Sequence, residues 1–486
     1  MSKISRRSMM GTLGTMALSS SFAPYSQSAP TETAKTYKLT RDIPVEEGYD
    51  LVVAGGGPAG AAAAISAARL GGKVLLVETT GCMGGMGTSG FMMGFIMVGD
   101  GERCLTGGLM REYIDALYHR GFLKPGLDPS DFSKQHMLTF NAEGLKLLLD
   151  EMAVAAKVDV RFYTTLIDVD AEPRAGHVRG VVIQNIEGYR YIRASAFIDG
   201  TGNGVLAKLC GAKCKDAGRD TPGIMPPTLV SLCSGIDWKR MGDQHAALNQ
   251  ANKDHFFEPP DLHMPGLFQT DRTVGLLNAG HIYNLDALRC QSMTEGMMRG
   301  RRLAQQYVAF YRKYVPGCEN LEHVATAPLM GLRESRHVLG EYELNIEDYS
   351  ARRQFPDQIA VYNYAIDMHA YNPSPEANAV MWKTYSGKMK PGESVGLPYG
   401  MIVVKGWKNL WVAGRCASMD LQVHGAFRVQ PAAVMMGQAA GTAAVQSVRT
   451  SRPAAEIDTE VLVNTLRKAG AYLPQAKTSK TMTRNT

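Results

Sequence analysis

Asp50-Leu51-Val52-Val53-Ala54-Gly55-Gly56-Gly57-Pro58-Ala59-Gly60 opens a stretch that closes at Val74-Leu75-Leu76-Val77-Glu78, and its reading decides the fold. The apolar run Leu51–Ala54 reads as a buried strand. Glycines 55, 57 and 60 then keep G-x-G-x-x-G spacing, an alanine-rich helix follows, and Lys73–Val77 reads as a second strand ending on an acid. The first glycine permits the tight turn, the second lets the backbone approach a pyrophosphate, and the third packs helix against strand. The helix N-terminus offers unpaired N–H groups and the positive end of its dipole to phosphates. A carboxylate at Glu78 accepts both ribose hydroxyls, which favours FAD or NAD over a 2′-phosphorylated nucleotide. Gly55, Gly57, Pro58, Ala59, Gly60 and Glu78 are therefore candidate cofactor contacts.

Around this stretch lie 486 residues, 45% hydrophobic with 51 glycines, which suits an α/β enzyme of about three domains' worth of chain. The formal charge of +6 is concentrated at the ends, in Lys3, Arg6 and Arg7 and in Lys477, Lys480 and Arg484. The body is near neutral and has no electrostatic footprint for nucleic acid. The eight cysteines (82, 104, 210, 214, 233, 290, 318, 416) make no Cys-x-x-Cys pair and no ligand cluster, so no metal site is expected. Residues 1–29 read as a targeting segment. Ser5-Arg6-Arg7-Ser8-Met9-Met10-Gly11 resembles a twin-arginine export signal, with Met9 where Phe is usual and Gly11 where Lys is usual. The apolar stretch Met9–Ala23 is too short and too rich in Gly, Ser and Thr to span a membrane, and no cysteine follows it to carry a lipid. A periplasmic or secreted location, without a transmembrane anchor, is expected.

The chain then divides into pieces. After Glu78 comes the Gly/Met-dense loop 81–88, helices at about 108–120 and 142–156, and β-rich runs at 158–170 and 178–186. Phe197-Ile198-Asp199-Gly200-Thr201-Gly202-Asn203-Gly204 reads as a buried strand ending in a glycine turn. From about 216 to 395 the βαβ rhythm is lost among Pro-rich loops (222–227, 259–265, 373–375) and a long helix near 290–314. The α/β pattern returns at 401–404 and 410–412, a last helix runs from about 431 to 448, and residues 474–486 read as a disordered tail. Asn278-Ala279-Gly280-His281 lacks the spacing of a second fingerprint, so one dinucleotide is expected.

Which one follows from Asn409-Leu410-Trp411-Val412-Ala413-Gly414-Arg415 and His424-Gly425-Ala426-Phe427-Arg428-Val429-Gln430-Pro431. FAD proteins bring the chain back late, on a strand ending in Gly-Arg or Gly-Asp at the ribityl-phosphate. Pro431 suits a first helical turn. Ala432, Ala433, Gly437, Ala439, Ala440 and Gly441 allow close packing on the sheet, and the helix N-terminus can face the flavin pyrimidine ring.

With these segments the chain resembles the FAD-dependent oxidoreductase family that shares the glutathione-reductase/succinate-dehydrogenase type of FAD fold. The resemblance spans about 47–448 and includes Gly84-Gly85-Met86, Pro226-Pro227-Thr228, Leu332-Arg333-Glu334-Ser335-Arg336 and Ile366-Asp367-Met368-His369. It implies an α/β protein. A discontinuous Rossmann-like FAD-binding domain (47–215 and 396–450), with a parallel sheet flanked by helices and a small antiparallel layer, holds an inserted α+β substrate domain (216–395). It also implies that Gly84, Gly85, Met86, Gly87 and Thr88 lie along the ribityl–isoalloxazine side, with backbone near Leu166 at adenine. Gly414 and Arg415 would hold the phosphate and ribityl end, with Gly202 and Gln430 as further contacts. Attachment is expected to be non-covalent, Cys82 and Cys416 being the residues a covalent link would use.

A flavin takes hydride at N5, so the protein must orient a C–H bond and move a proton. His424, just before the flavin-facing helix on a segment expected to cross near the ring, is the first acid/base candidate. His369, after an apolar-alternating run at 360–368, is the second. Arg333 and Arg336 flank Glu334 and would share a face if helical, either clamping an anion or forming an internal ion network. Tyr399 is a phenol for the cavity wall or for the core. The expected activity is removal of hydride from a small polar metabolite such as a sugar or hydroxy acid, with an unidentified electron acceptor. Flavin-dependent elimination or isomerisation, and electron relay, are the other readings. Self-association into a homo-oligomer is left open.

Overall fold

The apolar run that ends in the fingerprint becomes the centre of a seven-stranded sheet. Its strands are β1 (Val45–Ala54), β2 (Val74–Val77), β3 (Asp159–Arg161), β4 (Thr165–Glu172), β5 (His177–Asn185), β6 (Gly188–Asp199) and β7 (Leu410–Val412). The computed structural model describes residues 36–257, 266–385 and 389–474. Residues 1–29, read from the sequence as a targeting segment, the loop 259–265 and the tail beyond 474 lie outside the described residues.

β3, β2, β1 and β6 run parallel, in that order. β6 has two partners on its far edge. Its first half pairs antiparallel with β5, which pairs with β4, and Phe197–Asp199 pair in parallel with β7. Residues more than two hundred positions apart thus end side by side, and the carboxyl ends of β1, β2, β6 and β7 open on one crevice, where open α/β sheets bind ligands.

Two helices start at that crevice, α1 (Pro58–Arg69) and α3 (Gln430–Thr450), and α2 (Leu421–Phe427) leads into the second. α1 and α3 are buried along most of their length and meet through small residues. A Cβ at Gly437 would lie 2.0 Å from the Ala59 carbonyl oxygen, and one at Gly441 would lie 2.1 Å from that of Ala63. The helices expected at 108–120, 142–156 and 290–314 form as Gly108–His119, Ala142–Ala156 and Cys290–Tyr314.

The insertion has a four-stranded antiparallel sheet, ordered Leu267–Gln269, Gly275–Leu277, Ser231–Ser234, Glu322–Thr326. It closes over its own core of Cys233, Leu248, Phe257, Tyr307, Phe310 and Leu321. The span 216–395 does not act as one block, however. Val338, Leu344, Tyr349, Phe355 and Tyr362 join the main core, because Arg336–Val338 pairs with Cys214–Asp216 and draws the chain back early. From Ile43 onward the described residues pack as one unit. No helix among the described residues is long and apolar enough to cross a membrane.

Candidate active site

The turn after β1 is built for close approach. Gly55 has φ +88°, and a Cβ there would lie 2.8 Å from Thr201 Cα in the turn after β6. At Gly60 a Cβ would lie 1.8 Å from the Gly55 carbonyl oxygen, so the helix can pack this tightly only with glycine. The β6 turn is held by Asp199, whose buried carboxylate accepts from Thr201 N (3.0 Å), Thr201 Oγ1 (2.7 Å) and Ala207 N (2.9 Å). Burial pushes this carboxyl up from its ordinary value.

A cavity of about 590 Å³ runs along these turns, lined by Gly55, Gly57, Pro58, Ala59, Glu78, Gly85, Met86, Leu166 and Gly202, and by Gly414, Arg415 and Gln430 from the late return. Glu78 is fixed at its rim. Gly56 N donates to Oε2 (2.7 Å) and Thr80 N to Oε1 (2.7 Å), so the carboxylate is aimed by the backbone it must reach across. α1 and α3 begin at Gly57 and Val429 with no side-chain cap, and both starts line the cavity. A dinucleotide with anionic phosphates fits this cradle. Its unpaired N–H groups, Glu78 and the glycine floor are the complements of pyrophosphate and ribose.

The remaining expected contacts support the cradle from behind. Gly84 N donates to the Gly56 carbonyl (2.8 Å), and Thr88 Oγ1 donates to the Met83 carbonyl (2.6 Å). Gly87 abuts Gln430, whose Nε2 donates to the Met92 (2.6 Å) and Gly94 (3.1 Å) carbonyls. These three residues, like Gly60, do not line the cavity. Arg415 does. It is half-buried, donating to Asn203 Oδ1 and to Ser335 Oγ (3.3 Å), and desolvation brings its guanidinium down to about 10.

The same cavity is walled by Arg333, Tyr364, Asp367, His369 and Arg428. Arg428 Nη2 meets Asp367 Oδ2 at 3.0 Å, and Arg333 donates to the Pro226 carbonyl and to Thr228 Oγ1 (3.2 Å). His369 Nε2 lies 3.3 Å from Asp367 Oδ1, and its Nδ1 lies 3.0 Å from Nε2 of His281, whose Nδ1 is 3.4 Å from the half-buried Tyr283 hydroxyl. One choice of tautomers satisfies the whole chain from Tyr283 to Asp367. Burial, then the positive charge of Arg333, holds the His369 imidazole well below its ordinary value, so it is neutral. Burial alone would raise Asp367, but the hydrogen bond from His369 and the positive charges of Arg428 and Arg333 outweigh it and keep the carboxyl well below the carboxylate range.

Three expected catalytic residues stand elsewhere. His424 does not reach the cavity. It lies within α2, fully buried, with Nε2 3.0 Å from the Arg415 carbonyl and its ring facing His337 at 4.4 Å. Burial, then the neighbouring His337, Arg428 and Arg415, holds it well below its ordinary value. Arg336 and Arg333 share no helical face, because Arg336 opens a strand and Arg333 precedes it in an irregular segment. Arg336 Nε turns to Asp216 Oδ1 (3.3 Å) and Nη1 to the Asn203 carbonyl (3.3 Å). Tyr399 is core: its hydroxyl donates to the Ala454 carbonyl (2.8 Å) and accepts from Trp411 Nε1 (2.8 Å).

Sequence reasoning passed over Asp367, Arg428 and His281 as site residues. The first two sit inside the quoted segments, and His281 stands in Asn278-Ala279-Gly280-His281, which carries no motif spacing. Glu334, His337 and His424 also bring ligating atoms within 4.8 Å of one another, a grouping that no cysteine or histidine spacing announces.

Sheet, glycine cradle and late Gly-Arg return define a flavoprotein of the Rossmann-like class. The chain belongs to the FAD dependent oxidoreductase family, whose model matches residues 50–468, and FAD is its cofactor. No curated protein matches it. Among solved structures it is similar to a geranylgeranyl bacteriochlorophyll reductase-like protein of Thermoplasma acidophilum (15% identity, 87% of this chain and 83% of that one, TM-score 0.46). It is also similar to the myxobacterial chondrochloren halogenase CndH (14%, 88% and 79%, 0.43). A third is p-nitrophenol 4-monooxygenase PnpA of Pseudomonas putida DLL-E4 (12%, 87% and 81%, 0.41).

Proposed function

We propose that this oxidoreductase is a dehydrogenase or oxidase that removes a hydride from a small polar metabolite, a hydroxy acid or a sugar. The observation that supports it is the convergence of Arg333, Arg428, Asp367 and His369 on the cavity that holds the cofactor cradle. FAD supplies the hydride acceptor. The chain's own residues bind the substrate and move its proton. Arg333 and Arg428 offer charge-assisted hydrogen bonds to a carboxylate or to an oxyanion developing at the carbon that loses hydride. In the reverse tautomer, with Nδ1–H donated to His281 Nε2, neutral His369 receives the hydroxyl proton at Nε2; its Nδ1 proton then passes to His281 and on toward Tyr283, while the Asp367 carboxylate steadies the charge.

Anaerobic mixing with hydroxy acids and sugars, followed at the flavin absorbance band, tests this reading. Lasting bleaching by one of them is expected. Turnover without bleaching would replace it with elimination or isomerisation, and neither with electron relay. Reoxidation requires an external acceptor: oxygen, a quinone or a protein carrier. We also propose export through the Arg6-Arg7 segment. Replacing both arginines by lysine should hold FAD-loaded precursor in the cytoplasm, and unchanged export would refute it.

A further inference from the structure

We propose that Glu334, His337 and His424 form a buried binding site for one first-row divalent metal ion of the zinc class. The three side chains come from two distant segments. Glu334 and His337 flank the start of the strand Arg336–Val338, and His424 projects from α2. The strand is pinned by its pairing with Cys214–Asp216 and by Val338 N donating to the Cys416 carbonyl (2.9 Å). Relative exposures are 1%, 3% and 0%, so water does not solvate the polar atoms. Four of those atoms have no hydrogen-bond partner: Glu334 Oε2, both ring nitrogens of His337, and His424 Nδ1.

A hydrogen-bonded network would not leave them so. His337 Nε2 stands 3.7 Å from Glu334 Oε2, too far for a hydrogen bond. That spacing is close to the ~3.4 Å that separates two ligands of one tetrahedral ion held at about 2.1 Å. A single cation would satisfy the carboxylate, His424 Nδ1 and one nitrogen of His337 together. The outward-facing atoms are already fastened as ligands require. Glu334 Oε1 accepts from Met225 N (2.5 Å), and His424 Nε2 is 3.0 Å from the Arg415 carbonyl. A ligating imidazole commonly gives its other N–H to a backbone carbonyl in this way, which fixes its tautomer and direction.

Two imidazoles and one carboxylate make a nitrogen-rich set. It suits zinc and its neighbours, and not the all-oxygen preference of Mg²⁺ or Ca²⁺. Arg415 and Arg428 oppose any cation here electrostatically, so the ion must be held by the strength of its bonds to the three donors. The bound ion would tie the returning segment of the insertion to the segment carrying Arg415 and would position Arg415 without touching substrate.

The test uses untagged, FAD-loaded protein, stripped with a chelator and dialysed against zinc chloride alone. About one zinc per chain is expected, with X-ray absorption reporting nitrogen and oxygen neighbours at about 2.0–2.2 Å. His337→Gln and Glu334→Gln should each weaken zinc binding by at least about tenfold, as loss even of an outer partner does at metal sites. Failure of the wild type to take up zinc, or equal uptake by both variants, would overturn the proposal. Should the variants not fold, the wild-type absorption spectrum still decides. A sulfur shell at about 2.3 Å would place the ion on cysteine and overturn it equally.

Discussion

His369 has both ring nitrogens committed, one toward Asp367 and one to His281, and that is the arrangement of a proton carrier. Replacing it with Asn should slow flavin reduction by about 10²–10⁴, the usual cost of a lost general base, while FAD stays bound. Stopped-flow reduction under nitrogen measures this. Because burial and Arg333 keep the imidazole neutral below its ordinary 6.5, the wild-type rate should stay level as pH falls through 6.5. A rate halved at 6.5 would contradict that assignment. Arg333→Ala should act differently, raising the substrate concentration needed more than it lowers the limiting rate. At the cofactor end, Glu78→Ala strips the acceptor from Gly56 N and Thr80 N and from the ribose. Charge-assisted hydrogen bonds are worth about 1.5–3 kcal/mol each, so FAD retention on ultrafiltration should weaken at least about tenfold. The cradle residues were legible because one local motif dictates turn, helix start and acid together. His281 was not, because its partner His369 lies far along the chain and no spacing relates the two.

At the scale of elements, helices with a long amphipathic or alanine-rich period were readable, and short or tertiary-dependent ones were not. Ala142–Ala156 and Cys290–Tyr314 form where their periodicity places them. α2 was read as a crossing segment, although Asp420 at its N-cap accepts from Val423 N (2.8 Å) and was the available signal. That error placed His424 at the cavity when the helix turns it inward. The helix Thr459–Lys468, which buries Leu462, Val463 and Leu466 in the main core, was passed over although Asp458 caps it. The small residues of α3 do form a packing surface, but Gly437 and Gly441 meet α1 rather than the sheet, and that contact is testable. Gly441→Ala would drive a methyl into the Ala63 carbonyl, and neither backbone can yield without moving its helix. Overpacking of this kind typically costs about 1–3 kcal/mol. Thermal unfolding should show a lower midpoint, and FAD retention should drop because α3 begins at the cradle. An unchanged midpoint would mean the helices can separate freely.

Over the whole molecule, the site exists only when the late return has docked. β7 beside β6, Arg415 on Asn203 and Arg428 on Asp367 all join residues scores to hundreds of positions apart, which is why composition and local pattern gave the fold class but not the substrate wall. Assembly also buries histidine in its neutral form, and unfolding releases it to water. The linkage has a definite sign. His369 has a folded pKa well below its unfolded value of 6.5, so below pH 6.5 the unfolded chain binds a proton that the folded one refuses. Stability is therefore complete above pH 6.5 and is lost progressively as pH falls from 6.5 toward the depressed folded pKa. Asp367 adds nothing in this window, because its carboxyl is ionised in both states until pH nears the ordinary 3.8. With FAD saturating, the unfolding midpoint of the wild type should fall between pH 7 and pH 5. His369→Asn has no such proton to gain at this position, so its midpoint should fall less over the same interval, whatever its value at pH 7. Parallel pH profiles for the two proteins would show that His369 is protonated in the fold, and would remove it as the acceptor of the substrate's proton.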